Sequence, residues 1–117
     1  MAYMMLILEP PGQRAERGVE QGKKVYQQMV DYAGGLKARG VLRAVESLAT
    51  DARGVRVQVR DGRSRLVDGP FTEAKELIGG WALMECRDKD EAVEWSKRFL
   101  SVLGSGETRI RPVFGPE

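Results

Sequence analysis

Along this chain the apolar positions fall into two rhythms, one of period two and one of three to four. Residues 3–9 carry apolar side chains on both alternations: Tyr3, Met5 and Ile7 on one face, Met4, Leu6 and Leu8 on the other. That predicts a strand covered on both sides and ended by Pro10, Pro11 and Gly12. The charged stretch 13–17 predicts an exposed loop. Over residues 20–39, Val25, Met29, Tyr32 and Leu36 recur at spacings of four, three and four, the signature of a helix with one apolar face. Gly34 and Gly35 weaken that helix by about 1 kcal/mol each relative to Ala, and Gly40 suits its C-terminal stop.

Residues 41–48 predict a second strand. Val55, Val57 and Val59 then alternate with Arg56, Gln58 and Arg60, the pattern of a half-exposed strand. Asp61-Gly62 suits a tight hairpin turn, whose central positions need positive φ, and residues 63–67 return as the partner strand. This hairpin is expected to extend the edge of the sheet. A turn at 68–71 and a short polar stretch at 72–76 lead to a long apolar strand at 78–86, with Gly79 and Gly80 at its start. Asp88 and Glu91 form a capping box opening a second helix, with Ala92, Trp95 or Ser96, and Phe99 on its inner face. Gly104 and Gly106 end it, and residues 108–113 predict the last strand.

The order is strand, helix, strand, inserted hairpin, strand, helix, strand. It predicts an α+β, ferredoxin-like βαββαβ domain over residues 1–117, with right-handed crossovers, the first and third core strands central and the last at an edge. Pro112 fits an edge, where a missing ladder donor is tolerated. The later central strand repeats the two-faced pattern, with Trp81 and Leu83 opposite Ala82, Met84 and Cys86. Two helices cover one face only; the other predicts a homodimer packed sheet to sheet, the alternative being that the helical loop or the hairpin folds over that face.

Composition narrows the function. The 117 residues carry 19 basic and 17 acidic side chains, a net charge of +2, which marks neither a nucleic-acid nor a membrane-surface binder. No apolar run reaches the ~18 residues of a membrane span, and the opening apolar run lacks the basic leader and cleavage site of a signal peptide. The single cysteine, Cys86, cannot form an internal disulfide, which fits a reducing cytoplasm. There is no His and no Asn. Ser-His and Cys-His nucleophile pairs and His-rich metal sites are therefore excluded, and any general base is a carboxylate, Lys, Tyr or Cys86. Acylphosphatase-like chemistry, which relies on an Asn, is excluded too. RNA binding of the RRM kind needs stacking aromatics on the strand at 79–84, where only Trp81 stands.

Candidate chemistry gathers in two places. The stretch from Asp68 to Glu76 crowds Asp68, Glu73, Lys75 and Glu76 around a turn stiffened by Gly69 and Pro70, with Phe71 able to anchor it. It reads either as a structural turn with a solvated tail or as a rigid loop presenting charges to a cleft. Arg109 and Arg111, two apart on a strand, share a face and suit a carboxylate or phosphate, or serve as the charges that defend a sheet edge. Tyr3, Tyr32 and Trp81 read as core residues or as a pocket for an aromatic ligand.

The string Asp68-Gly69-Pro70-Phe71-Thr72-Glu73-Ala74-Lys75-Glu76, followed by Gly79-Gly80-Trp81, Asp90-Glu91-Ala92-Val93-Glu94-Trp95 and Arg109-Ile110-Arg111-Pro112-Val113, resembles the DGPF family, a branch of the YCII-related proteins. The likeness extends over nearly the whole chain. It implies a dimeric α/β barrel with a cleft between sheet and partner. It also implies an activity that is mostly unassigned, with a few relatives linked to eliminations or isomerisations on small ring compounds. Asp68, Glu73, Lys75, Glu76 and Arg111 carry over directly. The His-Asp pair proposed as catalytic in some YCII-like proteins has no counterpart here, and Ala74 stands where a Thr is usual.

Two readings follow. In the first, a cofactor-independent enzyme binds a small acidic or aromatic compound in a cleft at the dimer interface. Asp68 moves the proton, Arg109 or Arg111 holds the carboxylate, and Glu73, Lys75, Glu76 and Tyr3 complete the site. In the second, the domain is a non-catalytic module that binds a small molecule or a partner protein, and the charged loop is structural.

Overall fold

The structure, a computed structural model, describes residues 1–71 and 74–115. The elements are β1 (Ala2–Glu9), α1 (Gln13–Ala38), β2 (Leu42–Ser47), a 3-10 turn (Asp51–Arg53), β3 (Val55–Arg60), β4 (Arg63–Asp68), β5 (Leu77–Glu85), α2 (Lys89–Leu103) and β6 (Glu107–Pro112). Four strands form an antiparallel sheet in the order β2-β5-β1-β6. β1 and β5 are central and β6 lies at an edge, where Pro112 sits opposite Tyr3.

Both helices lie on one face. There Tyr3, Met5, Ile7, Leu42, Ala82, Met84 and Cys86 meet Leu36 of α1 and Ala92 and Phe99 of α2 in one buried cluster. Met84, 1% exposed, is the most enclosed large side chain; burying such a side chain contributes about 1.5–3 kcal/mol. Met4, Leu6, Leu8, Trp81 and Leu83 occupy the helix-free face and stay half-buried. The molecule is accordingly flat, 45 × 44 × 20 Å.

Two local readings of the sequence are corrected. Residues 13–17 are helical, not loop. Gly12, at φ 83°, turns the chain after the two prolines, and Glu16 N–H donates to the Gly12 carbonyl at 3.1 Å. The charges of Arg14, Glu16 and Arg17 belong to a helical turn. That turn is separated from the rest of α1 by Gly18, whose φ of 79° and ψ of 169° suit only glycine. Second, the β3-β4 hairpin does not extend the main sheet; it forms a separate two-stranded one. The 3-10 turn carries the chain off the end of β2, and the hairpin base is tied back to it, Gly69 N–H donating to the Gly54 carbonyl at 2.9 Å. Val57 pairs with Leu66, and together with Val55 and Val59 they form an apolar hairpin face, each more than half exposed. This projection accounts for a radius of gyration of 16.0 Å, above the roughly 13 Å of a compact chain this long.

The second helix starts as its capping pattern dictates. Asp88 Oδ1 accepts the Glu91 N–H at 2.9 Å, satisfying a first-turn donor. The Glu91 carboxylate reaches back one residue beyond the cap, to the Arg87 N–H at 3.4 Å.

Candidate functional site

The turn formed by residues 68–71 has a largely structural geometry. Asp68 ends β4 opposite Val55, exposed, with no hydrogen bond or ion pair among the described residues. The carboxylate that accepts a backbone donor at this turn belongs to Asp51, whose Oδ2 receives the Phe71 N–H at 2.8 Å. Gly69 lies so close to the 3-10 turn that a Cβ there would stand 1.8 Å from the Asp51 carbonyl oxygen, and the Phe71 ring lies against Gly54. Glu73 falls outside the described residues. Lys75 and Glu76 are exposed.

Arg109 and Arg111 do share a face. They lie opposite Leu6 and Met4, so both rise from the helix-free side of the sheet. Arg109 is committed to carboxylates: Nη2 to Glu76 at 2.5 Å and Nε to Glu107 at 3.3 Å. No ion pair joins either arginine to Asp68 among the described residues. Tyr3 is 4% exposed within the core, its hydroxyl 3.5 Å from the Met1 sulfur, a position that gives its ring to packing and not to a ligand.

A cleft that the sequence did not announce lies at the other end of β1. It has a volume of about 520 Å³, bounded by the first turns of α1, the ends of β1 and β5 and the C-terminus of α2. Its polar side is built on a bulge. β1 and β5 pair in register to Ile7 and Gly80, then Leu8 pairs with Ile78, so Gly79 is the extra residue. The Glu9 carboxylate lies over that residue, where a Cβ would stand 2.9 Å from its Cδ. Arg14, the second residue of α1, donates from Nε to Glu9 Oε2 at 3.0 Å and from Nη2 to the Gly79 carbonyl at 3.5 Å. The Glu9 side chain is 15% exposed and that of Arg14 37%. Arg17 also lines the cleft, half-buried and without an ion pair among the described residues.

The remaining walls are mostly apolar, among them Ile7, Val19, Met29, Leu100 and Leu103, with Gln13, Ser47 and Ser105 also on the lining. A half-buried carboxylate, a paired guanidinium and a second cation beside apolar walls can hold an anionic or phenolic group and move a proton next to it. The signal for this site was weak but present: an acidic residue ends the first strand, and a glycine pair stands where the facing strand begins.

The Tyr32 phenol and the Cys86 thiol titrate above their usual ranges. Burial pushes the Tyr32 phenol up, against the lowering influence of Arg98 and Arg39; its hydroxyl donates to the Trp95 carbonyl at 3.2 Å. Burial, reinforced by the Glu91 carboxylate, likewise pushes the Cys86 thiol up, which makes it a poor nucleophile near neutrality. Among the described residues no group of His, Cys, Asp or Glu is arranged to hold a metal ion. None of the described helices is long and apolar enough to cross a membrane.

A four-stranded antiparallel sheet with two helices on one face, and a cleft at the end of its central strands, defines a class of small α+β proteins. Within it the chain belongs to the YCII-related domain family, whose pattern matches residues 1–115. It is 34% identical over 53 residues to the uncharacterized protein R00369 of Rhizobium meliloti (strain 1021). That match spans 44% of this chain and 43% of the relative, less than half of either. In fold it is similar to 5-chloro-2-hydroxyhydroquinone dehydrochlorinase (TftG) from Burkholderia phenoliruptrix AC1100, solved in complex with 2,5-dihydroxybenzoquinone. The TM-score is 0.57 at 16% identity, covering 99% of this chain and 96% of that one.

Proposed function

We propose that this protein is a cofactor-independent enzyme that catalyses an elimination or isomerisation on a small acidic or aromatic compound. The observation that carries the reading is the Glu9–Arg14 pair over Gly79, a half-buried carboxylate at the polar end of a mostly apolar cleft. Arg17 holds the anionic group of the substrate. Glu9 takes a proton from a C–H or O–H beside it. In an elimination the freed electron pair forms the new double bond and the leaving group departs with its own pair; in an isomerisation the proton returns at another carbon. Neither step involves net oxidation. The fold shared with a dehydrochlorinase supports the same class of chemistry.

Within the family we assign the chain to the DGPF branch on Asp68-Gly69-Pro70-Phe71, and its strand order to the ferredoxin-like plan. The working form is a homodimer, a dimeric α/β barrel in which the half-buried Met4, Leu6, Leu8, Trp81 and Leu83 face their symmetry mates.

The test is turnover of a panel of halogenated and hydroxylated phenols and benzoic acids by the wild-type protein and Glu9→Gln. Loss of a positioned base lowers the rate by roughly 10²–10⁴-fold, with the fold intact because Gln keeps the shape of Glu. Undiminished turnover in Glu9→Gln would dismiss Glu9 as the base. Asp68→Asn in parallel decides between the two carboxylates.

A second reading, a non-catalytic binding module, is favoured by the structural work of the signature turn, where Gly69 and Phe71 lock onto the 3-10 turn and Asp68 stays exposed. Tight binding from the panel with no turnover would select it.

A further inference from the structure

The strand register lays out the helix-free face of the sheet in rows, because residues directly opposite each other in an antiparallel ladder point to the same side. One row runs Ala44, Leu83, Met4, Arg111 from the β2 edge to the β6 edge. The next runs Glu46, Trp81, Leu6, Arg109. Beyond the bulge, Ile78, Leu8 and Glu107 form a third. The middle of each row is apolar, and Ile78 is 49% exposed. The charges stand at the edges: a carboxylate, Glu46, on β2, and two guanidinium groups, Arg109 and Arg111, on β6 with Glu107 below them.

Two of these charges have no partner. Glu46 and Arg111 are exposed, and neither makes an ion pair among the described residues. Arg109 is already held by Glu76 and Glu107. Within one copy Glu46 and Arg111 stay apart, because β5 and β1 lie between their strands, a separation of roughly 14 Å at the usual strand spacing.

A second copy packed face to face with its strands aligned has two arrangements open to it. The two-fold axis lies between the sheets, either across the strands or along them. An axis across the strands sets β2 over β2 and β6 over β6. Each Glu46 and each Arg111 then faces its own kind, and like charges opposed across an interface are costly. An axis along the strands sets β2 of one copy over β6 of the other. Glu46 then stands at the height of Arg109, one row from Arg111. With sheets about 10 Å apart and rows about 7 Å apart, the two Cα atoms are roughly 12 Å from each other. A glutamate and an arginine reaching from opposite sides span that gap.

We propose that a second copy of this chain docks on the helix-free face about a two-fold axis running along the strands, with Glu46 of each copy paired to Arg111 of the other. The apolar middle of the rows is covered between two equivalent ion pairs, as an isologous interface requires. This deepens the homodimer proposed above and rests on it; it is independent of the chemistry of Glu9.

Sedimentation equilibrium of the wild type, Glu46→Arg, Arg111→Glu and the double exchange tests it, with Leu6→Glu in the apolar middle run beside them. The wild type is expected as a dimer and Leu6→Glu as a monomer. Each single reversal loses two ion pairs and sets like charges in their place, so the dimer dissociation constant rises by about tenfold or more. The double exchange restores opposite charges in the reverse sense and returns the constant to within roughly threefold of wild type. A monomeric wild type, or a dimer indifferent to Leu6→Glu, would remove the homodimer across this face and the proposal with it. A dimer broken by Leu6→Glu but unmoved by either reversal keeps the face and overturns the axis. A double exchange no tighter than the single variants overturns the pairing. Should a reversal not fold, the milder Glu46→Cys and Arg111→Cys are mixed and treated with a short bismaleimide. A covalent heterodimer is expected well above the homodimers of either variant alone, and equal yields count against the axis.

Discussion

Replacing Gly69 by Ala tests whether the turn after β4 is a structural clasp. A Cβ at that position would lie 1.8 Å from the Asp51 carbonyl oxygen, 2.8 Å from its carbon and 3.3 Å from the Ala52 Cα. All three are backbone atoms, so no side chain can swing aside, and the two segments must part by more than 1 Å to reach the shortest tolerable contact. Parting them stretches the Gly69 N–H to Gly54 carbonyl bond, 2.9 Å, and the Phe71 N–H to Asp51 carboxylate bond, 2.8 Å. Overpacking of this kind costs about 1–3 kcal/mol. The neutral bond adds about 1 kcal/mol and the charged one about 1.5–3 kcal/mol if lost outright. A total of roughly 3.5–7 kcal/mol follows, a shift of about 15–30 °C in Tm for a chain this long if the hairpin unfolds with the sheet. Urea denaturation measures the sum, and amide exchange at Gly69 and Phe71 shows where it falls. If the hairpin opens on its own, the global midpoint moves less and exchange at those two amides accelerates first. A variant within about 0.5 kcal/mol of wild type, the range of ordinary surface changes, with both amides still protected, would refute the clasp.

Gly79→Ala should behave differently, because its new Cβ meets only the far end of the Glu9 side chain. We expect a stability change under about 1 kcal/mol with a marked loss of turnover or binding as the carboxylate leaves Arg14; unchanged function would separate the Glu9–Arg14 geometry from activity. Asp88→Ala removes the acceptor of the Glu91 N–H and should cost about 0.5–2 kcal/mol in denaturant titration, whereas Asp88→Ser should recover most of it. Cys86, 3% exposed with its thiol pKa raised above 9.0 by burial, stays protonated in the folded chain at pH values where the unfolded chain ionises. Stability is therefore undiminished below the unfolded pKa and falls as pH rises beyond it, toward the folded value. Cys86→Ala should flatten that alkaline decline in urea titrations at successive pH values; an unchanged slope would assign it to other groups, Tyr32 among them.

Much of this architecture can be read from local pattern. Strand and helix periods report which side of an element meets the core, and that is how Tyr3, Met5 and Ile7 came to lie beneath Leu36 and Phe99. The Asp61-Gly62 turn and the Asp88 cap need only their own few residues, and both formed where the chain spelled them, the turn with φ of 51° and 77°. Polarity alone misled at 13–17, because a charged exposed helical turn and a charged loop look alike in one dimension. The hairpin's direction was likewise hidden, being set by a clasp between Gly69 and Asp51, eighteen residues apart.

The candidate site depended mostly on tertiary structure. Glu9 and Arg14 are neighbours in sequence, but what makes them a site is Gly79, brought over them by a one-residue shift in the β1–β5 register. A further cavity of about 130 Å³ under α1 depends on how far a helix stands from a sheet. Periodicity fixes which face is buried; it does not fix the few ångströms by which distant segments miss or meet, and binding sites are made at that scale.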